Sequence, residues 1–495
     1  MKRSRHHVTP AAGEVSDVID AVAERAAEYL AGVADDPVVA DDVVGAARRL
    51  EGERLPEDGR GAKAALEMLF DAGIRAATRS SGPRFFHFVT GGTTPAALGA
   101  DWLATVLDQN ALGWVGSPLA TTLESVSIAW LKELFVLPPT WGGVLTTGAT
   151  MANFVALASA RRWYGEQHGT DIEEQGLAGL PQLPVFSSGY IHPSALKALA
   201  MLGVGRSNVR TLTRDAVGRL DDASLEDALR DLGGRPSIVV ANAGEVNAGD
   251  FDPIARVADL CERYGAWLHV DGAFGLFARV SPRTAHLADG VERAHSVIAD
   301  AHKWLNVPYE SGFAFVRDAA YLPGAFSATA AYLTKPDDPR PSFMYMGPEM
   351  SRRARSLPIW ATLYAYGRRG YRSIVEHHLD LAQHARARVD ESPDLERMAD
   401  VPFNIVCFRF RPRGVPKSDL DDLNRRLGEA ILTDGRVYVG TTVYDGRVAF
   451  RPAFVNWRTA ERDVDALIDV VLELGQELPA TRGPVTRTPW DEAPA

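Results

Sequence analysis

The chain has 495 residues, 46% of them apolar and 24% charged, and 53 lysines and arginines against 64 aspartates and glutamates give it a formal charge of −11. That length exceeds one simple core and implies two or three domains, or one large α/β domain with additions. The acidic balance argues against a surface that coats nucleic acid, and no run of about 18 apolar residues offers a membrane span.

Two distant cysteines, Cys261 and Cys407, form neither a disulfide framework nor a metal-binding spacing, so no metal site is expected. Both lie in apolar patterns and read as buried small hydrophobes. The basic start, MKRSRHHVTP, is not followed by an apolar signal-peptide stretch, and a cytoplasmic protein is expected. Val15, Val18, Ile19, Val22, Ala26 and Leu30 follow helical spacing, which predicts an amphipathic N-terminal helix placed to cover a neighbouring domain or subunit. EGERLPEDGRGAK reads as a loop. From about Pro83 to Val316, helical stretches separate short β-rich runs, among them GGVLTTG, PSIVVANAG and AWLHVDGAFG. This is the βαβ pattern of an α/β domain with a mostly parallel sheet. Within it, Asp252-Pro253 reads as an N-cap with proline at the first helical position. Ile254, Val257, Ala258, Cys261 and Tyr264 then form one face, and Gly265 stops the helix before the strand AWLHV. That strand ends on Asp271, and ligands of open parallel sheets bind beyond the carboxyl ends of strands. TKPDDPRPSFMYMGPEM reads as a long functional loop. A helix-rich stretch follows from about Leu357 to Asp390, then strands near FNIVCFRF, GRVYVGTTVY and GRVAFRPAFV, with a helix between Ser418 and Thr433. The expected organisation is an N-terminal helical segment (1–82), a large α/β domain (83–355), a smaller α+β C-terminal domain (356–478) and a disordered tail (479–495).

Four features carry chemistry. TTGATMANFVALASARRW is a turn between a strand and a helix, and free N–H groups at a helix start suit phosphate. GYIHPSALKAL puts His192 just before a helix, LHVDGAFG puts Asp271 at a strand end, and ADAHKW supplies Lys303. Read singly, each has an ordinary explanation: a connecting turn, a cap, another cap, a solvated lysine. Together they are the parts needed to hold pyridoxal phosphate. The phosphate would sit on the helix start, lysine would form an imine with the aldehyde, aspartate would pair with the pyridine nitrogen, and an imidazole would lie on one ring face.

The chain resembles the group II pyridoxal-phosphate-dependent amino-acid decarboxylases, the family of aromatic-L-amino-acid, glutamate and cysteine-sulfinate decarboxylases. HVDGAFG, DAHKW and SRRARSLPIWATLYAYGRRGY carry the resemblance, supported by SPLATTLESVSIAWLKEL, TTGATMANFVAL and GDFDP, over roughly Pro83 to Val470. It implies an aspartate-aminotransferase-like large domain, pyridoxal 5′-phosphate as cofactor, an amino acid as small-molecule substrate and a homodimer with sites near the interface. By position, Lys303 matches the Schiff-base lysine, Asp271 the pyridine-nitrogen partner and His192 the ring-stacking histidine. Ala149 and Thr150 match the phosphate turn, Asp300 and His302 the phosphate and lysine surroundings, and Ala273 the small residue on the opposite ring face. Tyr332 resembles the loop tyrosine that protonates the product carbon. Three positions depart from the pattern: Glu245-Val246 stands where a threonine is usual, Met151 where glutamate is frequent, and Gly272 where alanine is common.

RFFHFVTGGTTPAALGADWL and DQNALGWVGSP match segments that build the entrance and side-chain pocket, from which Phe88, Asn110 and Leu112 are the substrate-pocket candidates. The region lacks a basic cluster, which favours an aromatic or other neutral L-amino acid, although Arg352, Arg353 or Arg355 could turn inward. The expected activity is decarboxylation to the amine and CO2. An aldehyde synthase or an aminotransferase on the same fold is the alternative, the latter with Arg451 as a carboxylate ligand.

Overall fold

Eleven strands, β1 (Gly142–Thr146), β2 (Val185–Ser187), β3 (Val209–Thr211), β4 (Ile238–Asn242), β5 (Trp267–Asp271), β6 (Ser296–Asp300), β7 (Gly312–Val316), β8 (Leu395–Arg397), β9 (Phe408–Phe410), β10 (Thr441–Tyr444) and β11 (Arg447–Phe450), form two sheets in the computed structural model, which describes residues 12–327 and 339–478. The larger sheet has the order β1-β7-β6-β5-β4-β2-β3. Only β7 runs against its neighbours, β1 and β6; the other pairings are parallel. Strands β4, β5, β6 and β7 are buried along their whole length, which is why they read as apolar runs without alternation. The smaller sheet, β10-β11-β9-β8, is antiparallel throughout.

Register places the chemistry. Asn242 pairs with Asp271 across β4 and β5, and β6 ends on Asp300. Thr146, Asn242, Asp271 and Asp300 thus end four strands along one edge of the sheet. The Ala149–Gln167 helix leaves β1 through Gly148, and the Pro193–Met201 helix, with Pro193 in its first turn, follows β2. Their starts face the same edge, where the first-turn N–H groups of a helix have no intrahelical acceptor.

The Ile254–Tyr264 helix buries Ile254, Val257, Ala258, Leu260 and Cys261 and ends at Gly265, whose φ of +68° suits glycine. Asp252 does not cap it, contrary to expectation. Its Oδ2 instead accepts from Ser188 Oγ (2.9 Å), Asn242 N (2.8 Å) and Asn242 Nδ2 (2.9 Å). The carboxylate is drawn toward the end of β4, because several donors of a buried strand end outweigh one exposed helix turn. The small-domain strands are shorter than the apolar runs imply. Pro452 closes β11 because it has no N–H to give the ladder. β8, spelled LER, carries no alternation long enough to read.

The long Ser356–Glu391 helix breaks its regular geometry at Gly367 (φ +60°) and belongs to two cores. Ile359, Leu363, Tyr371, Val375 and Leu379 join the core around the large sheet. Leu381, Ala382, Ala385 and Val389 join the second core, with Phe86, Phe408, Phe450 and Phe454. The N-terminal helix, Ala12–Gly32, leaves Val15 and Ile19 exposed. Cys261 and Cys407 are free and buried, and burial pushes both thiols up. Among the described residues, no helix is long and apolar enough to cross a membrane.

Candidate active site

Lys303 lies on a single π-helical turn, Ala301–Leu305, directly after β6. Three anchors fix that turn. Trp304 is buried and donates its indole N–H to His378 Nδ1 (2.7 Å) on the long helix. Asn306, in left-handed conformation (φ +56°), closes the turn. Its amide donates to Trp304 O and Val455 O and accepts from Gly92 N and Trp457 N. Gly91 packs against the turn so closely that a Cβ there would stand 1.8 Å from the Lys303 carbonyl oxygen. The backbone of Lys303 is therefore held on several sides, and its amine reaches Asp300 Oδ2 at 3.0 Å.

Asp300 is itself buried, and its Oδ1 accepts from Ala149 N at 2.5 Å, at the start of the Ala149–Gln167 helix. His302 Nε2 lies 3.4 Å from the same oxygen. Because Ser311 N–H donates to His302 Nδ1 (3.3 Å), the His302 proton belongs on Nε2. The His302 ring stacks on Tyr309 with centroids 4.2 Å apart. Burial holds the imidazoles of both His302 and His192 below the usual histidine range, so they are neutral near pH 7.

His192 is the N-cap of the Pro193–Met201 helix: Ser194 N–H donates to its Nδ1 (3.2 Å), and Ser194 Oγ lies 2.7 Å from the same nitrogen. A backbone N–H only donates, so Nδ1 accepts and the His192 proton sits on Nε2. The capping role and the functional candidacy coexist, since a cap uses one nitrogen and leaves the other. Asp271 Oδ1 accepts from Ala273 N (3.1 Å), and Oδ2 from Asn153 Nδ2 (2.9 Å).

Ala149, Thr150, His192, Asp271, Ala273, Asp300, His302 and Lys303 all line one cavity of about 280 Å³. Thr147, Tyr190, Asn242, Val246 and Phe274 line it as well. Val246 replaces the expected threonine with an apolar wall. Glu245 turns into its own loop instead, accepting from Asn247 N (2.8 Å) and Ala248 N (2.8 Å). Phe88, Asn110 and Leu112 do not line the cavity of this chain, contrary to the simplest reading of their segment. Phe88 is exposed, Asn110 Oδ1 accepts from Arg352 N (3.0 Å), and Leu112 O accepts from Phe343 N (2.9 Å). Tyr332 lies outside the described residues. Arg352 pairs with Glu124, Arg353 with Asp101, and Arg355 with Glu310 and Glu349, so none of the three turns into the cavity. Arg451 donates to Val246 O (3.2 Å) behind the wall. Sequence reading missed Asn153, Ser194 and Tyr309; the one local signal was Ser194, two residues after His192 at a helix start.

A lysine amine, an acceptor-only carboxylate, a neutral imidazole and a helix start around one cavity fit pyridoxal phosphate in chemistry and in size. With Asp300 taking the Ala149 N–H, the Thr147 and Thr150 side chains and the remaining first-turn N–H groups are left for the phosphate. The fold and site thus define a pyridoxal-phosphate enzyme with the aspartate-aminotransferase-like fold. Residues 66–411 match the family model described as the pyridoxal-dependent decarboxylase conserved domain, and the chain belongs to that family. It is a pyridoxal-phosphate-dependent carboxy-lyase acting on an amino acid.

An aromatic-L-amino-acid decarboxylase of Bacillus atrophaeus is 28% identical over 433 residues, 86% of this chain and 88% of that protein. A phenylacetaldehyde synthase of Arabidopsis thaliana is 28% identical over 461 residues, 90% of this chain and 93% of that one. Among solved structures, Oryza sativa TDC with PLP and tryptamine superposes with a TM-score of 0.87 at 26% identity, covering 95% of this chain and 99% of that chain. Mouse CSAD superposes with a TM-score of 0.85 at 24% identity, covering 94% and 99%, which speaks to the fold.

Proposed function

We propose that the chain decarboxylates an aromatic or other neutral L-amino acid, with Lys303, Asp271 and His192 as the residues that hold and use the cofactor. The observation that carries the reading is the convergence of these three side chains on one cavity at the carboxyl ends of β1, β4, β5 and β6. Lys303 would bear the cofactor on Nζ, Asp271 would accept the hydrogen of the ring nitrogen, His192 and Ala273 would flank the ring, and the Ala149–Thr150 turn, Asp300 and His302 would surround the phosphate. When bound, the cofactor supplies an aldehyde that takes the substrate amino group and a ring that accepts the electron pair released at Cα.

The protein's part is orientation and proton placement. The walls must hold the substrate carboxylate out of the ring plane, where the bond to Cα is weakest. Tyr332 is the proposed donor of the proton that replaces CO2 at Cα, assisted by His192 through Nε2–H. Among the described residues, Lys303 is the one lysine or arginine lining the cavity, and Tyr190, Phe274 and Val246 line it too. Among the described residues of this chain's cavity a side-chain carboxylate finds no cationic partner besides Lys303, which supports a neutral or aromatic substrate. Similarity to the aromatic-L-amino-acid decarboxylase agrees with this choice. A panel of amino acids assayed for CO2 and amine with added pyridoxal phosphate tests it. Release from tyrosine, tryptophan or phenylalanine is expected, and release from glutamate alone would overturn the substrate class. Lys303→Ala is expected to abolish turnover and the visible absorbance of the lysine-bound cofactor.

The similarity to the phenylacetaldehyde synthase favours aldehyde formation as the second reading. Equal aldehyde and peroxide production in place of amine would establish it.

The active form is proposed to be a cytoplasmic homodimer. Trp102, Leu103, Val106, Trp114, Val115 and Leu119 are all exposed, an apolar surface unusual for a monomer. Phe88 is exposed as well, so a second subunit is the proposed route by which this segment meets a substrate pocket. Two buried, unpaired cysteines suit a reducing compartment.

A further inference from the structure

Behind Asp271 lies a line of buried polar groups that none of the roles above uses. The Trp267 indole N–H lies 3.0 Å from Ser296 Oγ, and Ser296 Oγ lies 2.9 Å from His269 Nδ1. His269 Nε2 lies 2.8 Å from Asn153 Oδ1, and Asn153 Nδ2 lies 2.9 Å from Asp271 Oδ2. Trp267, Ser296, His269 and Asn153 are all shut off from solvent, and Asp271, which they back, is buried at the cavity wall.

The chemistry of the end groups sets the direction of every bond. An indole only donates, so Ser296 Oγ accepts from Trp267 and its own hydrogen goes to His269 Nδ1. His269 then carries its proton on Nε2 and donates it to Asn153 Oδ1. That leaves the Asn153 amide hydrogens for Asp271 Oδ2 and for Ser194 Oγ at 3.3 Å, the latter beside His192. The opposite polarity would set Asn153 Oδ1 against Asp271 Oδ2, two acceptors at 2.9 Å. Both ends therefore demand the same order. Burial holds His269 down to about 4, so the ring stays neutral near pH 7 and the relay carries no competing charge.

We infer that Trp267, Ser296, His269 and Asn153 form a one-way hydrogen-bond relay that locks Asp271 as an acceptor at the cofactor ring, with Asn153 the positioning residue at the junction to Ser194 and His192. The inference rests on the reading of Asp271 as the ring-nitrogen partner. Sequence distance hides the relay: Asn153 comes from the helix after β1, Trp267, His269 and Asp271 from β5, and Ser296 from β6. On β5, alternate side chains 267, 269 and 271 share one face of the sheet, and the Asn153 helix packs over it.

The test uses the holoenzyme and reads cofactor release, followed as loss of visible absorbance after dilution into a cofactor trap, together with the position of the visible band. Asn153→Leu is nearly isosteric and removes the junction. It is expected to speed release roughly tenfold to a hundredfold, the range of one hydrogen bond to a charged group, and to move the band. His269→Leu is expected to act in the same direction, and His269→Gln, which keeps one donor and one acceptor, to restore release to within about twofold of wild type. Wild-type release and band in Asn153→Leu, or equal defects in the two His269 variants, would overturn the relay. Asp271→Ala separates the two ideas: wild-type band and release there would overturn the reading of Asp271 itself.

Discussion

Arg352 sits in the interior, and removing it is expected to cost as much as truncating a large buried apolar side chain. Its guanidinium donates to Glu124 Oε2 (2.9 Å) and Oε1 (2.7 Å), to Ala111 O (3.1 Å) and to Leu145 O (2.8 Å). Glu124 Oε1 also accepts from Leu145 N (3.0 Å). The side chains of Arg352 and Glu124 are 3% and 2% exposed, so water cannot replace either partner. Arg352→Met leaves the Glu124 carboxylate with one neutral donor in a dry site. Breaking a buried pair from one side costs about 3–5 kcal/mol. Glu124→Leu strands the guanidinium and is expected to cost a similar amount. The double variant strands no charge and loses only the backbone partners, so it is expected to cost no more than either single variant. That sets a coupling energy of at least about 3 kcal/mol between the two sites. Urea unfolding of the four proteins measures it. A cost below about 1 kcal/mol for Arg352→Met, or additive costs in the double variant, would refute the reasoning. Leu145 lies three residues before Gly148, so the single variants are also expected to lose cofactor more readily than wild type.

Tyr332→Phe is expected to divert product from amine to aldehyde and peroxide while leaving cofactor content unchanged; unaltered amine output would remove Tyr332 from the chemistry. His378 accepts from the Trp304 indole and offers Nε2–H to Asn456 O (2.9 Å), an arrangement only the neutral ring satisfies, and burial holds it down to about 3. The unfolded chain binds this proton first, so the histidine's contribution is present above about pH 6.5 and is lost as pH falls toward 3, amounting to about 2 kcal/mol between pH 7 and 5. His378→Gln, which can keep both hydrogen bonds, is expected to flatten the change in thermal midpoint over that window. Trp102→Asp, on the exposed apolar surface, is expected to shift the mass in solution from dimer to monomer, and a wild-type mass would remove that surface from the interface.

Much of the site was legible in the chain because strand ends and helix starts are local events. A fully apolar strand stopping at Asp271, a His-Pro helix start at His192 and a turn opening the Ala149 helix each announce themselves over a few residues. Lys303 became a candidate by its company, and the resemblance to a decarboxylase family supplied the roles. The cap expected of Asp252 failed because local preference yields when a buried strand end offers more donors.

Only the tertiary structure decided what stands around those side chains. Asp300 reaches Ala149 across 151 positions in the sequence, Asn153 reaches Asp271 across 118, and Trp304 finds His378 across 74. Such pairs leave no periodicity or spacing to read, since buried polar groups take whatever partner the packing brings within about 3 Å. The sequence by itself determined the main elements of the large domain, the cofactor chemistry and the family resemblance. The tertiary structure decided that Val246 walls the cavity, that Glu245 and the three arginines turn away from it, and that Phe88, Asn110 and Leu112 do not line the cavity of their own chain. Side-chain direction follows from packing and charge pairing across the fold, and neither is encoded within one stretch of chain.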